Sequence, residues 1–549
     1  MGGKVKKNGF IEGAVIAYIA IIITKLLGAV YSIPFYSIIG ERGSIIYSFA
    51  YNIYVLFLDV STSGIPVAIS ILISEYASKG MLRSKEKAYK LGLRVVVVLS
   101  VAAFLILQIF ANLIGKYFIS DMTEGVTVPE IAMAVRAISY CLLIVPFLSM
   151  RRGYLQGHKC IAPSSTSQVI EQFVRIAFVL LGSYLVIYVF KWSTAAGVCV
   201  ALFGAFMGAA AALIYITVKR RQSKELFEFK AEDAEEIPDS TKNVLKKLFT
   251  YCFTIVIVSV SVSIYNIVDM KLLLIGLKNT GFSDVDTQMI SSIASTWIPK
   301  ICMIVVALAM GLTNSIAPHM AESFAQGKMK EVNLKLNQGI GAIIVVSIPL
   351  ATGVVILSEP VYRLFYGQSE YGGNILALAI VLNVFGSVVS VVSMAMQSIG
   401  KGRPVIIATI IGIVINTCLD LPLIYLFDYM GIPAYLGATA ASIVGQVVTL
   451  AILLISLYRS FKLNYMPSVV TFLRTIIPTC AMTAVVLVIK YFWKVTDTRG
   501  LLLLVQLAIY ALAGGAVYLF LSYKLGALTE IMDKEKITKI LRKLHLTKK

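Results

Sequence analysis

From Phe10 to Tyr523 the chain is a nearly unbroken series of apolar runs, each roughly twenty residues or more in length. Runs of that length in that number suit a hydrocarbon solvent. There, every backbone N–H and C=O must be satisfied within the segment, so each run is expected to be an α-helix. Charged residues make up 14% of the 549 and hydrophobic residues 58%, with a mean hydropathy of +0.85. Soluble domains carry about 25% charged residues, so a large soluble enzyme is excluded. The expected fold is an all-α polytopic membrane protein with fourteen transmembrane helices, spans 1 to 14, over 10–39, 43–76, 88–115, 127–150, 161–190, 193–218, 248–278, 287–320, 336–358, 371–398, 403–428, 433–458, 467–492 and 499–523.

The net charge of +20 raises the question of a nucleic-acid partner, and its distribution answers it. The alternate loops 4–7, 79–94, 151–159, 219–247, 328–335, 401–403, 459–474 and 524–549 hold about 36 of the 49 Lys and Arg, and the intervening loops about seven. That bias is the positive-inside rule, so the basic charge is topology and both termini are expected in the cytoplasm of a multi-pass plasma-membrane protein. The N-terminus MGGKVKKNGF lacks a cleavable-signal layout and reads as the cytoplasmic flank of span 1.

Seven cysteines stand singly, with no CxxC pair, and three histidines are widely separated, which supports neither a disulfide framework nor a metal site. No Walker A sequence and no nucleophile–base–acid set is present. The chain is expected to be a transporter with no cofactor, driven by an ion gradient (H+ or Na+) or by membrane potential.

The polar stretch 219–247 mixes both charge signs and divides the chain into an N-lobe of spans 1–6 (1–218) and a C-lobe of spans 7–12 (248–458). The stretch GIPVAISILISEYASKG at 64–80 lies over GLTNSIAPHMAESFAQG at 311–327, with Gly64/Gly311, Glu75/Glu322 and Gly80/Gly327 all 247 residues apart. YLQGHKCIAP (154–163) similarly resembles MQSIGKGRP (396–404), with Gly157 matched to Gly400. Two six-helix lobes that both enter from the cytoplasm are parallel repeats, an arrangement that places a substrate site between lobes near the midplane. Spans 13 and 14 (459–523) are additional. The tail 524–549 spaces apolar residues helically among lysines, as an interfacial helix held by anionic lipids would.

Charges inside the spans are costly unless they face water, a partner or a substrate. Lys25 lies in the middle of span 1 and either pairs with Asp59 or Glu171 or meets an anionic ligand. Glu171 and Arg175 are four apart on span 5 and share a face, as an intrahelical pair or as part of a water-lined wall with Ser167, Gln168 and Gln172. Asn416 and Asp420 repeat that spacing in span 11. Asp269 and Lys271 fall in the outer half of span 7. Arg136 and Lys300 either join the cavity or snorkel to the outer interface. Five cations (Lys25, Arg136, Arg175, Lys271, Lys300) against four acids (Asp59, Glu171, Asp269, Asp420) suit an anionic headgroup such as a pyrophosphate.

The segments TKLLGAVYSIP, GIPVAISILISEYASKG and, above all, RRGYLQGHKCIAPSSTSQVIEQFVRI resemble the polysaccharide-transporter branch of the multidrug/oligosaccharidyl-lipid/polysaccharide (MOP) exporter superfamily. Within that branch the likeness is to the stage V sporulation protein B group, which includes MurJ-type lipid II flippases, and it covers essentially the whole chain. The resemblance implies two six-helix lobes in a V, a central cavity lined by spans 1, 2, 7 and 8, and a groove made with spans 13 and 14 for a polyprenyl tail. It places Lys25 at the first of the basic residues that contact pyrophosphate. The second is expected two turns later, where Tyr31, Ser32 and Ile33 stand, so that contact is either absent or supplied by Arg42, Lys271 or Lys300. The implied activity is that of a monomeric flippase for an undecaprenyl-pyrophosphate-linked saccharide, foremost lipid II, in cell-wall synthesis or sporulation. Lys25 and Arg175 would hold the headgroup, and Asp59 and Glu171 would poise or release it. The alternatives are export of another lipid-linked glycan and cation-coupled drug antiport.

Overall fold

The computed structural model describes residues 10–222, 238–304, 320, 322–324 and 326–527, and these are helical throughout, with no strand among them. The helices are α1 (Phe10–Val30), α2 (Ser32–Thr62), α3 (Ile65–Ser78), α4 (Leu82–Ile119), α5 (Val128–Ser139), α6 (Val145–Gly157), α7 (Ile161–Tyr184), α8 (Thr194–Gln222), α9 (Thr241–Asn279), α10 (Asp284–Ser292), α11 (Met329–Ile356), α12 (Ser358–Tyr366), α13 (Gly372–Ser398), α14 (Gly402–Tyr429), α15 (Leu436–Phe461), α16 (Met466–Phe492) and α17 (Leu501–Lys524). Among the described residues, twelve segments are long and apolar enough to cross a membrane. The first, Ile19–Ala77, breaks at Gly40, whose φ of +63° is a glycine conformation. It therefore holds two of the expected spans, which makes thirteen, and the remaining one, span 8 (287–320), lies partly outside the described residues, so the arrangement is consistent with fourteen. Exposed Val98, Ile109, Leu181, Ile214 and Leu512 present the apolar faces that lipid would cover. The basic flank 1–9, most of the 219–247 linker, the inner part of span 8 with the bulk of the second repeat copy at 311–327, and the amphipathic tail beyond 527 lie outside the described residues.

The chain falls into two compact units, Met1–Thr296 and Trp297–Lys549. Helix α9, read from the sequence as the opening of the second lobe, packs within the first unit against α2, α3 and α4. Ser240 caps it by accepting from the Asn243 amide at 3.2 Å. The preceding Asp239 is held by Ser84 Oγ, which accepts from its amide at 2.9 Å, and by Tyr76 Oη, which donates to its carboxylate at 2.9 Å.

In the first unit the bend between α2 and α3 follows from composition. Pro66 removes an amide near the start of α3. The hydroxyls of Ser61, Thr62 and Ser63 turn back onto the carbonyls of Phe57, Leu58 and Asp59 at 2.7–2.8 Å, a pattern that bends helices. Glycines admit the neighbours on both sides. A Cβ at Gly64 would stand 2.8 Å from the Cys252 carbonyl of α9, and one at Gly153 would stand 2.5 Å from the Pro66 carbonyl. The Gly in RRGYLQG is thus a packing residue that lets α6 close on the bend.

The internal repeat survives at the turns. Gly80 and Gly327 both adopt positive φ, +71° and +72°. Each closes its turn alike, Met81 N to Tyr76 O at 2.8 Å and Lys328 N to Ser323 O at 2.9 Å. This keeps the offset of 247. The second match is corrected by the hydrogen bonds. The left-handed residue after α6 is Lys159 (φ +63°), with Cys160 N bonded to Leu155 O at 2.9 Å, whereas before α14 it is Gly400 (φ +75°), with Lys401 N bonded to Met396 O at 2.8 Å. Gly400 therefore corresponds to Lys159 and not to Gly157. The sequence match followed glycine identity, and the backbone accepts a lysine where it needs positive φ.

At the opposite end of the first unit from the basic loops, a polar network ties the turns together. Arg42 forms a pair with Glu130 at 2.9 Å and donates to the Gly125 carbonyl at 2.9 Å. Gln288 accepts from the Val126 amide and donates to the Glu124 carbonyl, each at 2.9 Å. Asp284 accepts from the Thr123 amide at 2.7 Å and pairs with Lys278 at 3.3 Å. The Thr123 amide first, and Lys278 after it, outweigh the opposing effect of burial and hold the Asp284 carboxyl below the usual carboxylate range. A depressed folded pKa contributes stability that is full above the ordinary value of 3.8 and is lost as pH falls through the lower folded value. Asp284→Asn is thus expected to unfold more readily than the parent at pH 7 and to converge with it on acidification below that range. Parallel melts from pH 7 down to pH 3 check this, and a gap that stays constant with pH would refute it.

Candidate functional site

The site is built in the first unit where α1, α2, α6 and α7 meet. Helices α1 and α7 pack along each other, and a Cβ at Gly28 would reach Gln172 Nε2 at an ordinary contact distance of 3.5 Å. One turn before Gly28, Lys25 is half-buried and makes no ion pair with Asp59 or Glu171. The Asp59 carboxylate instead accepts a short hydrogen bond from Ser263 Oγ of α9. The counter-ion expected for Lys25 is therefore committed to a neutral partner.

Glu171 is also paired differently from the intrahelical expectation. Its carboxylate meets Arg152 of α6 at 2.7 Å, and Arg152 Nε donates to Ser167 Oγ at 2.8 Å. Arg152 was not singled out in the sequence, where it sits at the edge of a basic loop. The clue was its position next to Arg151 in a motif that runs straight into the Glu171 helix. Arg175, one turn beyond Glu171, is left with no carboxylate within 4 Å among the described residues. Its guanidinium lies instead within electrostatic reach of the hydroxyls of Tyr31, Tyr47, Tyr51 and Tyr54. Tyr47 and Tyr51 stack at 5.4 Å, Tyr51 meets Tyr54 at 6.2 Å, and Phe35 packs edge-on against Tyr47 at 5.2 Å. The neighbours of this cation are thus neutral hydroxyls, which leave its charge available.

The second unit lacks this arrangement at the corresponding place. A Cβ at Gly208 would meet the Glu171 carbonyl at 2.5 Å and Arg175 Cβ at 3.0 Å, and one at Gly445 would meet the Gly412 carbonyl at 2.8 Å and Asn416 Cβ at 3.0 Å. The helix contacts thus equate Glu171 with Gly412 and Arg175 with Asn416, not with Asn416 and Asp420. Asp420 lies one turn further on, fully buried, and accepts from Asn416 Nδ2 at 3.2 Å. Among the described residues, the ionic pair belongs to the first unit alone.

The remaining candidates stand apart from this cluster. Arg42 belongs to the outer turn network. Lys271 donates to the Phe118 carbonyl at the end of α4 at 3.2 Å and lies 5.5 Å from the Tyr117 ring, where a cation satisfies terminal carbonyls. Asp269, half-buried, precedes it by two residues on α9. Arg136 Nε donates to the Gln108 carbonyl at 3.3 Å. Lys300, in the second unit, places its ammonium 3.9 Å from the Trp297 ring centroid. Ser48 and Asn52 of α2 also bond Thr296 Oγ1 at 2.6 and 3.0 Å, a polar seam that the charge-centred reading passed over.

An all-helical multi-pass fold with charges held inside its spans defines a membrane transporter, and the relatives it resembles are transporters. A family model described as "Polysaccharide biosynthesis protein" matches residues 10–282, and one described as "MatE" matches 283–421. The chain is 30% identical to "Lipid II flippase MurJ" of Bacillus subtilis (strain 168) over 534 residues, 95% of this chain and 97% of the relative. It is 28% identical to "Stage V sporulation protein B" of the same organism over 220 residues, 40% of each. A solved structure of "Lipid II flippase MurJ, inward closed conformation" superposes with a TM-score of 0.62 at 15% identity, covering 93% of this chain and 99% of that one. The chain belongs to the polysaccharide-transporter group of the MOP superfamily, among the MurJ-type flippases.

Proposed function

We propose that this protein flips an undecaprenyl-pyrophosphate-linked saccharide, foremost lipid II, from the inner to the outer leaflet of the plasma membrane, with both termini cytoplasmic. The observation that carries the reading is Arg175. It is a half-buried cation in a tyrosine wall with no carboxylate at pairing distance, in a place where the second unit has a neutral Asn416. A buried charge kept without its counter-ion is costly unless an anion arrives to meet it. Lys25, on the helix packed against α7, supplies a second uncompensated cation, and together they suit a pyrophosphate bound by charge-assisted hydrogen bonds. Glu171 and Asp59, each already occupied by another partner, set the affinity low enough for release. An H+ or Na+ gradient or the membrane potential drives the cycle, since a unit charge crossing about 100 mV is worth roughly 2.3 kcal/mol. The full-length likeness to a lipid II flippase supports this substrate, while Tyr31, Ser32 and Ile33, standing where a second basic residue of span 1 is expected, favour another lipid-linked glycan as the alternative.

The test is leaflet accessibility of lipid II in cells depleted of their own flippase and supplied with this chain. Restored outward exposure supports lipid II. No restoration by protein that is folded and inserted would exclude lipid II and move the assignment to another lipid-linked glycan.

A further inference from the structure

A second group of cations lies at the basic-loop end of the first unit, outside the headgroup site. Tyr89 of α4 and Tyr154 of α6, both buried, meet at a tilt of 54° with ring centroids 4.4 Å apart. Two guanidinium groups flank them. Arg151 Cζ stands 6.0 Å from the Tyr89 centroid and 5.3 Å from that of Phe147. Arg220, in the last turn of α8, stands 5.8 Å from Tyr89 and 5.1 Å from Tyr154. Neither arginine has a carboxylate within 4 Å among the described residues. Arg152, next to Arg151, turns away to Glu171, so the two neighbours serve different sites. Arg151 Nε and Tyr89 Oη are buried without a hydrogen-bond partner among the described residues. Glu86, one turn before Tyr89, lies within electrostatic range of both rings but pairs with neither guanidinium, so among the described residues the cluster keeps a surplus positive charge.

A guanidinium beside an aromatic ring still has N–H donors to be satisfied by something else. Two guanidinium groups and a phenol hydroxyl, brought from three helices to the Tyr89 ring, match a tetrahedral oxyanion, whose oxygens accept several forked bonds at once. Their position, within two turns of the helix ends that carry the basic loops, is the level of phosphate in a membrane. We propose that Arg151, Arg220 and Tyr89 form a binding site for a phosphate group, presented either by an anionic lipid headgroup or by inorganic phosphate. Occupancy would fasten α4, α6 and α8 at their common end.

The experiment measures thermal unfolding of the full-length protein in a neutral detergent. One arm titrates inorganic phosphate against chloride at equal ionic strength, and the other adds phosphatidylglycerol against phosphatidylcholine. One of these two sources is expected to raise the melting temperature in a saturable way, and which one does so identifies the source. The apparent affinity should fall at least tenfold in Arg151→Gln/Arg220→Gln and remain unchanged in Lys191→Gln, a surface control. Should the double variant fail to fold, Arg220→Lys keeps the charge and loses the fork, and it should weaken binding on its own. Stabilisation by neither source, or equal stabilisation of the parent and the arginine variants, would overturn the proposal. No arm reads transport, so the result stands apart from the flippase assignment.

Discussion

Arg175→Gln is expected to remove most of the outward lipid II exposure that the parent chain restores in flippase-depleted cells, with Lys25→Gln producing a comparable loss. The guanidinium has no carboxylate at pairing distance among the described residues, so the helix does not rely on it for an ion pair. Removing the charge therefore subtracts from ligand binding more than from folding. Losing one partner of a desolvated, hydrogen-bonded charge pair costs about 2 kcal/mol or more, roughly a thirtyfold or greater loss in affinity. Arg175→Lys keeps the charge without the planar fork and should recover only part of the activity. Asn416→Ala, at the corresponding place in the second unit, serves as the comparison and should leave exposure near the parent level. Full transport by Arg175→Gln and Lys25→Gln proteins present at normal levels would exclude both from the headgroup site.

Glu171→Ala is expected to lower stability by about 2–3 kcal/mol, because it strands Arg152, most of whose side chain is inside the bundle. Arg152 would retain its bond to Ser167 Oγ but lose the carboxylate paired with it among the described residues. The double variant Arg152→Ala/Glu171→Ala should recover part of that loss, since no buried charge is then unpaired. Denaturant titration of the parent, both single variants and the double variant closes the cycle. Additive losses in the double variant would show that the pair at 2.7 Å carries no coupling and that Glu171 has another role.

The sequence made the solvent and the fold class legible because both depend on the period and length of apolar runs, which need no tertiary context. The same holds for the bend at Gly64–Pro66 and the turn at Gly80, where backbone chemistry is local. It located Lys25 and Arg175 by depth alone. It left their partners open, since a spacing of four says that Glu171 and Arg175 share a face but not whether α6 brings a better-placed cation. It missed Arg152 for the same reason: a residue at the edge of a basic loop is indistinguishable in the sequence from one turned inward on a kinked helix.

The repeat shows the same limit. Gly157 was matched to Gly400 by residue identity, while the backbone sets Lys159 opposite Gly400 and thereby Asn416 opposite Arg175. Only that register reveals that one unit kept the cation and the other did not. Hydrophobic length, loop charge and proline position are properties of single segments, and the sequence by itself determined them. Which of the buried charges neutralise one another depends on side chains from different helices approaching within a few ångströms, and the tertiary structure alone decided that.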